Sequence, residues 1–294
     1  MKSGFVSIVG RPNVGKSTLL NRVLEMKLAI TSNVSGTTRN IIQGIYNDDE
    51  SQIVFIDTPG IHKPVNKLGS IMNNQAYHML DEVDIVLFLV DVTKEFGKGD
   101  NFVLEKIKSL NKPVFLVLNK IDLIDKKELL KIITKYNEIY NFEEIIPLSS
   151  LKGDNVLDLI KTLKKYLPRE EILYGKEDVT NISRDFYIAE IVREKLLRLT
   201  KDEVPHTITC LLENYEENEK YIDINVLIIV DRENLKKIII GKNGQMLKKV
   251  GTLARSDIEE FLGKQVNLKT YVKVIDDWRE KEKYLKELGF YELK

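Results

Sequence analysis

The chain has 294 residues, 43% of them hydrophobic and 31% charged, and its 45 basic side chains are cancelled by 45 acidic ones. That length implies about two domains, and the balance excludes both a polybasic tail and an acidic disordered chain. A single cysteine excludes an internal disulfide framework and favours a reducing compartment.

The first apolar run, Phe5–Val9, is too short for the core of a signal peptide. No stretch approaches the roughly 18–20 apolar residues of a membrane span, so a cytoplasmic protein is expected. Apolar runs recur at Ile53–Ile56, Asp84–Val90 and Val114–Leu118, with a weaker one at Glu144–Leu148. Asp84–Val90 and Val114–Leu118 are apolar nearly throughout, as parallel strands covered on both faces are. Between the runs, Leu68, Ile71, Met72, Ala76, Met79 and Leu80 repeat at helical period. Strand alternating with helix predicts a doubly wound α/β domain. Residues 168–181 carry Pro, Gly and mixed charge without a period, the composition of a linker. A helix follows, with Ile188, Val192, Leu196 and Leu199 on one face. Three alternating runs come next: Ile208, Cys210 and Leu212 against Thr207 and Thr209; Ile222, Ile224, Val226 and Ile228 against Asp223 and Asn225; then Val266–Val274. They predict a small α+β domain whose sheet is covered on one side.

Residues 10–17, GRPNVGKS, follow the first strand and precede a helical stretch, the context in which a phosphate-binding loop works. Gly10 and Gly15 let the backbone of Arg11, Pro12, Asn13 and Val14 curl so that N–H groups face phosphates, with the helix start at Lys16, Ser17 and Thr18 adding its positive dipole end. Lys16 is expected on the β- and γ-phosphates and Ser17 on Mg²⁺. A glycine-rich turn that binds nothing is the bland alternative, and the in-register Lys and Ser argue against it. Asp57, Thr58, Pro59 and Gly60 end the second run: the Asp is placed to hold the metal, and the Gly60 N–H to meet a γ-phosphate. Asn119, Lys120 and Asp122 (NKID) follow the run Val114–Leu118, where the Asp122 carboxylate matches the N1–H and N2–H₂ edge of guanine. Adenine offers no such pair of donors and leaves the carboxylate unpaired, which is what selects the base. Ser149, Ser150 and Leu151 open SSLKG, placed for backbone contact with the guanine oxygen. Each tetrapeptide alone is weak; four in order at the carboxyl ends of strands are strong.

On these residues the first domain resembles a translation-factor-class GTPase, and SGTTRN (35–40) resembles the switch-I signature of the Era and tRNA-modification groups. The resemblance implies that Thr38 coordinates Mg²⁺ when the γ-phosphate is present, with Thr37 beside it. Ile61 stands where Ras-like enzymes carry a glutamine that orients the attacking water, and isoleucine makes no hydrogen bond. Some related GTPases recruit potassium through the residue equivalent to Asn13, so slow, K⁺-assisted hydrolysis is expected, with Lys16, Thr38 and Gly60 as the catalytic set. His62 reads as an exposed switch-loop histidine.

Residues 238–249, IIIGKNGQMLKK, set Gly-x-x-Gly between an apolar element and an amphipathic helix, which resembles a KH domain. Gly241 and Gly244 permit close approach of a nucleic-acid strand, Lys242 and Asn243 meet phosphates, and Ile240 borders a groove for unstacked bases. A helix–turn–helix glycine turn is the alternative. Between Asn234 and Ser256 there are six basic residues (Lys236, Lys237, Lys242, Lys248, Lys249, Arg255) and no acidic one. His78 and His206 lack ligand-spaced partners, Cys210 reads as core, Trp278 is left open between packing and binding, and Arg279–Leu288 reads as a solvent-facing helix.

The reading is an α/β P-loop NTPase with a mixed, mostly parallel sheet (1–168), a linker (169–184) and a small α+β type II KH domain (185–294), which together resemble the Era family. The resemblance implies a bacterial GTPase, using GTP/GDP and Mg²⁺, that binds small-subunit ribosomal RNA near its 3′ end and assists 30S assembly. It further implies a monomer with peripheral contact at the inner membrane face in some members. A nucleotide-gated RNA scaffold with negligible turnover is the alternative, and a metabolite kinase is disfavoured by NKID.

Overall fold

The computed structural model describes residues 1–34 and 36–290; Ser35 of the SGTTRN segment and residues 291–294 lie outside the described residues. Strands β1 (Lys2–Val9), β2 (Ile42–Asn47), β3 (Ser51–Asp57), β4 (Ile85–Asp91), β5 (Val114–Asn119) and β6 (Glu144–Leu148) form one sheet in the order β2-β3-β1-β4-β5-β6. β2 runs antiparallel to β3, and the other neighbours pair in parallel. Helices α1 (Lys16–Val23), α2 (Lys67–Glu82), α3 (Lys98–Ile107), α4 (Lys126–Ile139) and α5 (Val156–Tyr166) complete the unit. Period-two alternation divides its core. Ile85, Leu87 and Leu89 of β4 pack with α1 and α5 on one face, while Val86, Phe88 and Val90 pack with α2 and α3 on the other. Because the sheet is buried on both faces, its parallel strands read as continuous apolar runs.

The second unit runs α6 (Arg184–Leu199), α7 (Val204–Thr207), β7 (Thr209–Glu217), β8 (Tyr221–Val230), α8 (Glu233–Ile240), α9 (Gln245–Leu262), β9 (Gln265–Val274) and α10 (Glu282–Glu287). β8 is central, antiparallel to β7 and parallel to β9. Ile222, Ile224, Val226 and Ile228 point from β8 into a core shared with α6, α8 and α9. Apart from the short α7, the order through β9 is the α-β-β-α-α-β succession of a type II KH fold.

Four expectations need correction. β2 is absent from the sequence reading: IQGIYN is neither a continuous apolar run nor a clean alternation, and it is held at an edge by pairing from Ile42 to Asn47 with β3. The segment read as a linker is tied to the sheet. Ser3 pairs with Arg169 and Gly44 with Thr180, and the Gln52 amide oxygen accepts from the Leu173 and Tyr174 N–H groups at 2.7 and 2.9 Å. The KH sheet is not covered on one side alone. Leu227 and Ile229 on its outer face pack with Trp278, Leu285 and Phe290 and with Leu68, Ile71 and Met72 of α2, so the apolar face of α2 is shared between two cores. Trp278 is therefore a packing residue, fully buried, with its indole N–H donating to the Thr207 carbonyl at 2.8 Å. Finally, His62 is half-buried: its Nδ1 lies 2.7 Å from the Gly60 carbonyl, and the Asn73 amide donates to its own carbonyl.

Candidate functional site

β1 delivers the loop 10–15 to the start of α1, and local sterics require its glycines. A Cβ on Gly10 would lie 2.3 Å from the Leu89 carbonyl oxygen, and one on Gly15, whose φ is +105°, would lie 2.2 Å from Asn119 Nδ2. Lys16 is buried, and its Nζ donates back to the Gly10 and Arg11 carbonyls at 3.3 and 3.1 Å. Burial pushes its ammonium pKa below the ordinary value, with the Asp57 carboxylate opposing. A buried ammonium inside a ring of backbone amides is a site for a multiply charged oxyanion.

Three oxygen groups meet beside it. Ser17 Oγ donates to Asp57 Oδ2 at 2.6 Å and lies 2.8 Å from Thr38 Oγ1, which is itself 3.2 Å from Asp57 Oδ2. Asp57 is fully buried, and burial raises its pKa against the opposing pull of Lys16, Ser17 and Thr38. Its Oδ1 is buried without a hydrogen-bond partner among the described residues. An orphaned carboxylate oxygen with two hydroxyls is an all-oxygen donor set suited to a small hard dication such as Mg²⁺.

At the far end of the cavity Asn119 joins two loops. Its Nδ2 donates to the Val14 carbonyl at 2.7 Å, and its Oδ1 accepts from the Ser150 N–H and hydroxyl, each at 2.9 Å. Lys120, at φ +71°, reaches the Asn13 carbonyl at 3.1 Å and Asp91 Oδ2 at 2.5 Å. Asp122 sits in a single 3₁₀ turn, Ile121–Leu123, and is exposed, so its carboxylate is desolvated only when a base covers it.

These loops close on a cavity of about 290 Å³ lined by Pro12, Asn13, Gly15–Thr18, Thr38, Gly60, Asn119, Lys120, Asp122 and Ser149–Leu151. Other residues of the expected set do not face it. Arg11 Nε pairs with the buried Asp100 at 2.8 Å. The Thr58 hydroxyl donates to the Ile8 carbonyl at 3.0 Å, and Val14, Pro59 and Ile61 are buried. Ile61 lies in the α2–α3 core, so the place of a water-orienting side chain is filled by packing. The sequence reading missed Thr31, Ser32 and Asn33, which line the cavity, and Arg22, whose guanidinium holds the Ser150 and Leu151 carbonyls. It also missed Asp91, which holds Lys120. Asp91 ends β4, and the strand-end rule that marked Asp57 and Asn119 applies to it equally.

A second site lies on the KH unit. Gly241 has φ +72° and ψ 176°, and Asn243 and Gly244 also have positive φ, so the backbone of the loop between α8 and α9 turns outward. Lys242 and Asn243 stand exposed at its tip, with Lys248 and Lys249 exposed on the first turns of α9 and Ile240 half-buried at its root. A groove of about 340 Å³ runs beside the loop between Gly244, Leu247, Lys248 and Arg255 on one wall and Val266 and Leu268 on the other. Thr252, Asn267 and Thr270 make much of its lining polar, with Leu247, Val266 and Leu268 as apolar points between them and Lys248 and Arg255 as cations, a mixture that suits contact with an unstacked single strand.

A family model described as 50S ribosome-binding GTPase matches residues 5–120, and a KH domain model matches residues 203–279. Among solved structures, the chain is similar to a point variant of Era from Aquifex aeolicus bound to GDP and AlF₄⁻: 43% identity over 99% of each chain, TM-score 0.95. It is likewise similar to Era in complex with MgGDPNP and nucleotides 1506–1542 of 16S ribosomal RNA: 44% identity over 99% of each chain, TM-score 0.96.

Proposed function

The chain belongs to the Era family of GTPases, and from that premise we propose that it hydrolyses GTP to GDP and phosphate with Mg²⁺ and binds small-subunit ribosomal RNA near its 3′ end through the KH domain. One observation carries the reading: loops from four strand ends converge on one cavity, while the Gly-x-x-Gly loop presents a separate basic groove. In this assignment the N–H groups of the loop 10–15 and the Lys16 ammonium hold the phosphates, and Gly60 offers its N–H to the γ-phosphate. Ser17, Thr38 and Asp57 hold Mg²⁺, which when bound neutralises phosphate charge. Asp122 reads guanine, and Asn119 and Lys120 fix its loop. Slow hydrolysis follows in this reading from the packing of Ile61, and Asn13, whose amide N–H₂ donates to the Asn33 carbonyl at 2.8 Å, would hold a potassium ion that would supply charge in place of an arginine finger. Assistance to subunit assembly in the cytoplasm, as a monomer with peripheral membrane contact, extends this reading on the family resemblance alone. No helix among the described residues is long and apolar enough to cross a membrane.

The test is titration with guanine and adenine nucleotides, then single-turnover GTP hydrolysis with and without a 3′-end ribosomal RNA fragment, in sodium and in potassium. Selective guanine binding and turnover are expected. Binding without turnover would restore the scaffold alternative, and equal rates in the two salts would remove the cation. Lys242→Asp with Asn243→Asp is expected to abolish RNA binding and spare GTP binding.

A further inference from the structure

The switch loop and the KH unit share one residue. Arg39 is 5% exposed, and its guanidinium reaches out of the GTPase unit into the turn that precedes β7. Nη1 donates to the Ile208 carbonyl at 2.5 Å, and Nη2 to the His206 and Pro205 carbonyls at 3.2 and 3.4 Å. The same guanidinium lies 5.8 Å from the centroid of the Trp278 ring, whose N–H holds the Thr207 carbonyl. The turn 205–208 is thus gripped by Arg39 and Trp278 together. The residue before Arg39 is Thr38, which meets Ser17 and Asp57. Adjacent α-carbons are held about 3.8 Å apart, so Thr38 cannot withdraw several ångströms from Ser17 and Asp57 without pulling on Arg39.

The nature of this seat matters as much as its position. Among the described residues, Arg39 is held by backbone carbonyls and an aromatic face, and no carboxylate hydrogen-bonds to it. Burial, aided by the nearby Arg193 and Arg279 cations and opposed by Glu190, lowers its pKa to about 9. Burying this cation carries a desolvation cost that carbonyls and a ring offset only in part. The rest of the loop is held from α6: Arg193 donates to the Thr37 carbonyl, Arg198 to the Thr31 carbonyl, and Glu194 accepts from the Thr31 N–H at 3.0 Å. α6 in turn packs on α9, the helix that carries the basic rim.

Resting on the function proposed above, we propose that Arg39 is the positioning residue through which the nucleotide state of the switch loop sets how tightly the KH domain holds RNA. With Thr38 drawn in, Arg39 is seated and the KH unit is fixed as seen in this structure. With Thr38 released, Arg39 leaves its carbonyls and the unit is free to re-orient. Coupling of this kind changes affinity by about 5–150-fold.

The experiment measures affinity for a 3′-end ribosomal RNA fragment by fluorescence anisotropy, with a non-hydrolysable GTP analogue and with GDP. It compares the full-length wild type with Arg39→Ala and Arg39→Lys. The wild-type ratio between the two states is expected to be fivefold or more, falling to about one in Arg39→Ala. Arg39→Lys is expected to stay low, because an ammonium lacks the fork that spans three carbonyls. GDP affinity serves as the control. If Arg39→Ala does not fold, Trp278→Phe, which keeps a smaller aromatic ring and loses the N–H to Thr207, is expected to reduce the ratio. A ratio unchanged in these variants overturns the proposal. A wild-type ratio of one also overturns it and leaves GTP hydrolysis and RNA binding standing, whereas a wild type that binds no RNA in either state overturns it together with the RNA-binding part of the proposed function.

Discussion

Ser17 and Asp57, forty positions apart in the chain, are joined by a hydrogen bond of 2.6 Å across the strand ends of β1 and β3. The contact exists because β1 and β3 pair in parallel, so the loop after one lies beside the last residue of the other. Removing either partner tests the metal site. Ser17→Ala and Asp57→Asn are each expected to weaken Mg²⁺-dependent nucleotide binding by ten- to a hundredfold or more. In isothermal titration, affinity for GDP in EDTA should change far less than affinity in Mg²⁺. An equal loss in both conditions would put the pair in the structure of the loop rather than at the metal.

Asp122 gives a sharper test, because its partner is chosen by hydrogen-bond polarity. A carboxylate accepts two hydrogen bonds from guanine, whereas the amide of Asp122→Asn offers one donor and one acceptor. That pattern matches the N1–H and C2 carbonyl of xanthine. The variant is expected to lose at least a hundredfold in GTP affinity and to gain in XTP affinity. The loop itself should survive, since Asn119 holds it to Val14 and Ser150 independently of Asp122. A variant that loses GTP without gaining XTP would place the base elsewhere.

What was legible in the sequence followed from periods and short-range constraints. The buried strands β4 and β5, the phosphate loop and the Gly-x-x-Gly turn each carry their signal within about ten residues. β2 does not: Gly44 breaks its pattern, and a Cβ there would lie 2.4 Å from Leu24 Cδ1, so its glycine is set by packing against the chain just after α1. The docking of residues 169–180 rests on the Gln52 amide, two isolated bridges, the Arg169–Asp84 pair and hydrogen bonds from Asn47 and Thr180, contacts between positions far apart in the chain that leave no local mark. Trp278 is the same case. Its burial is completed from α2 and Arg39 of the first unit, so neither the period nor the composition of its own segment announces it. The motif residues were found, but Arg11, Thr58 and Ile61 face away from the cavity because a motif fixes backbone position and not side-chain direction.

The two glycines of the RNA loop are not equivalent. A Cβ on Gly241 would lie 2.7 Å from Met246 Cβ and 3.0 Å from its backbone nitrogen, and the φ and ψ there exclude other residues. At Gly244, φ is +74° and nothing lies within 4 Å of the added atom. Gly244→Ala should therefore cost about 1 kcal/mol of backbone strain, and Gly241→Ala about 2–4 kcal/mol as the first turn of α9 is displaced. Urea unfolding checks the order. RNA affinity should fall in both, more in Gly241→Ala. Equal destabilisation would mean that the loop relaxes freely and is not pinned by Met246.

Asp48 offers a pH test of how the β2–β3 edge is held. Its carboxylate accepts from the Glu50 and Ser51 N–H groups at 3.0 and 2.8 Å and pairs with Lys164 of α5 at 2.6 Å. Partial burial works against the charge, but these partners outweigh it and bring the pKa from 3.8 to about 2. A carboxylate depressed in the folded state contributes stability that is fully present above its unfolded pKa and is lost as pH falls through the folded value. Asp48→Asn keeps an acceptor for the turn and removes the ion pair. The wild type is therefore expected to exceed the variant by about 1 kcal/mol at pH 6, after discounting the solvent screening of a partly exposed pair. That margin should shrink steadily between pH 4 and pH 2 in urea midpoints. A margin that stays constant across this range would show that the turn is held by its backbone hydrogen bonds and not by the charge.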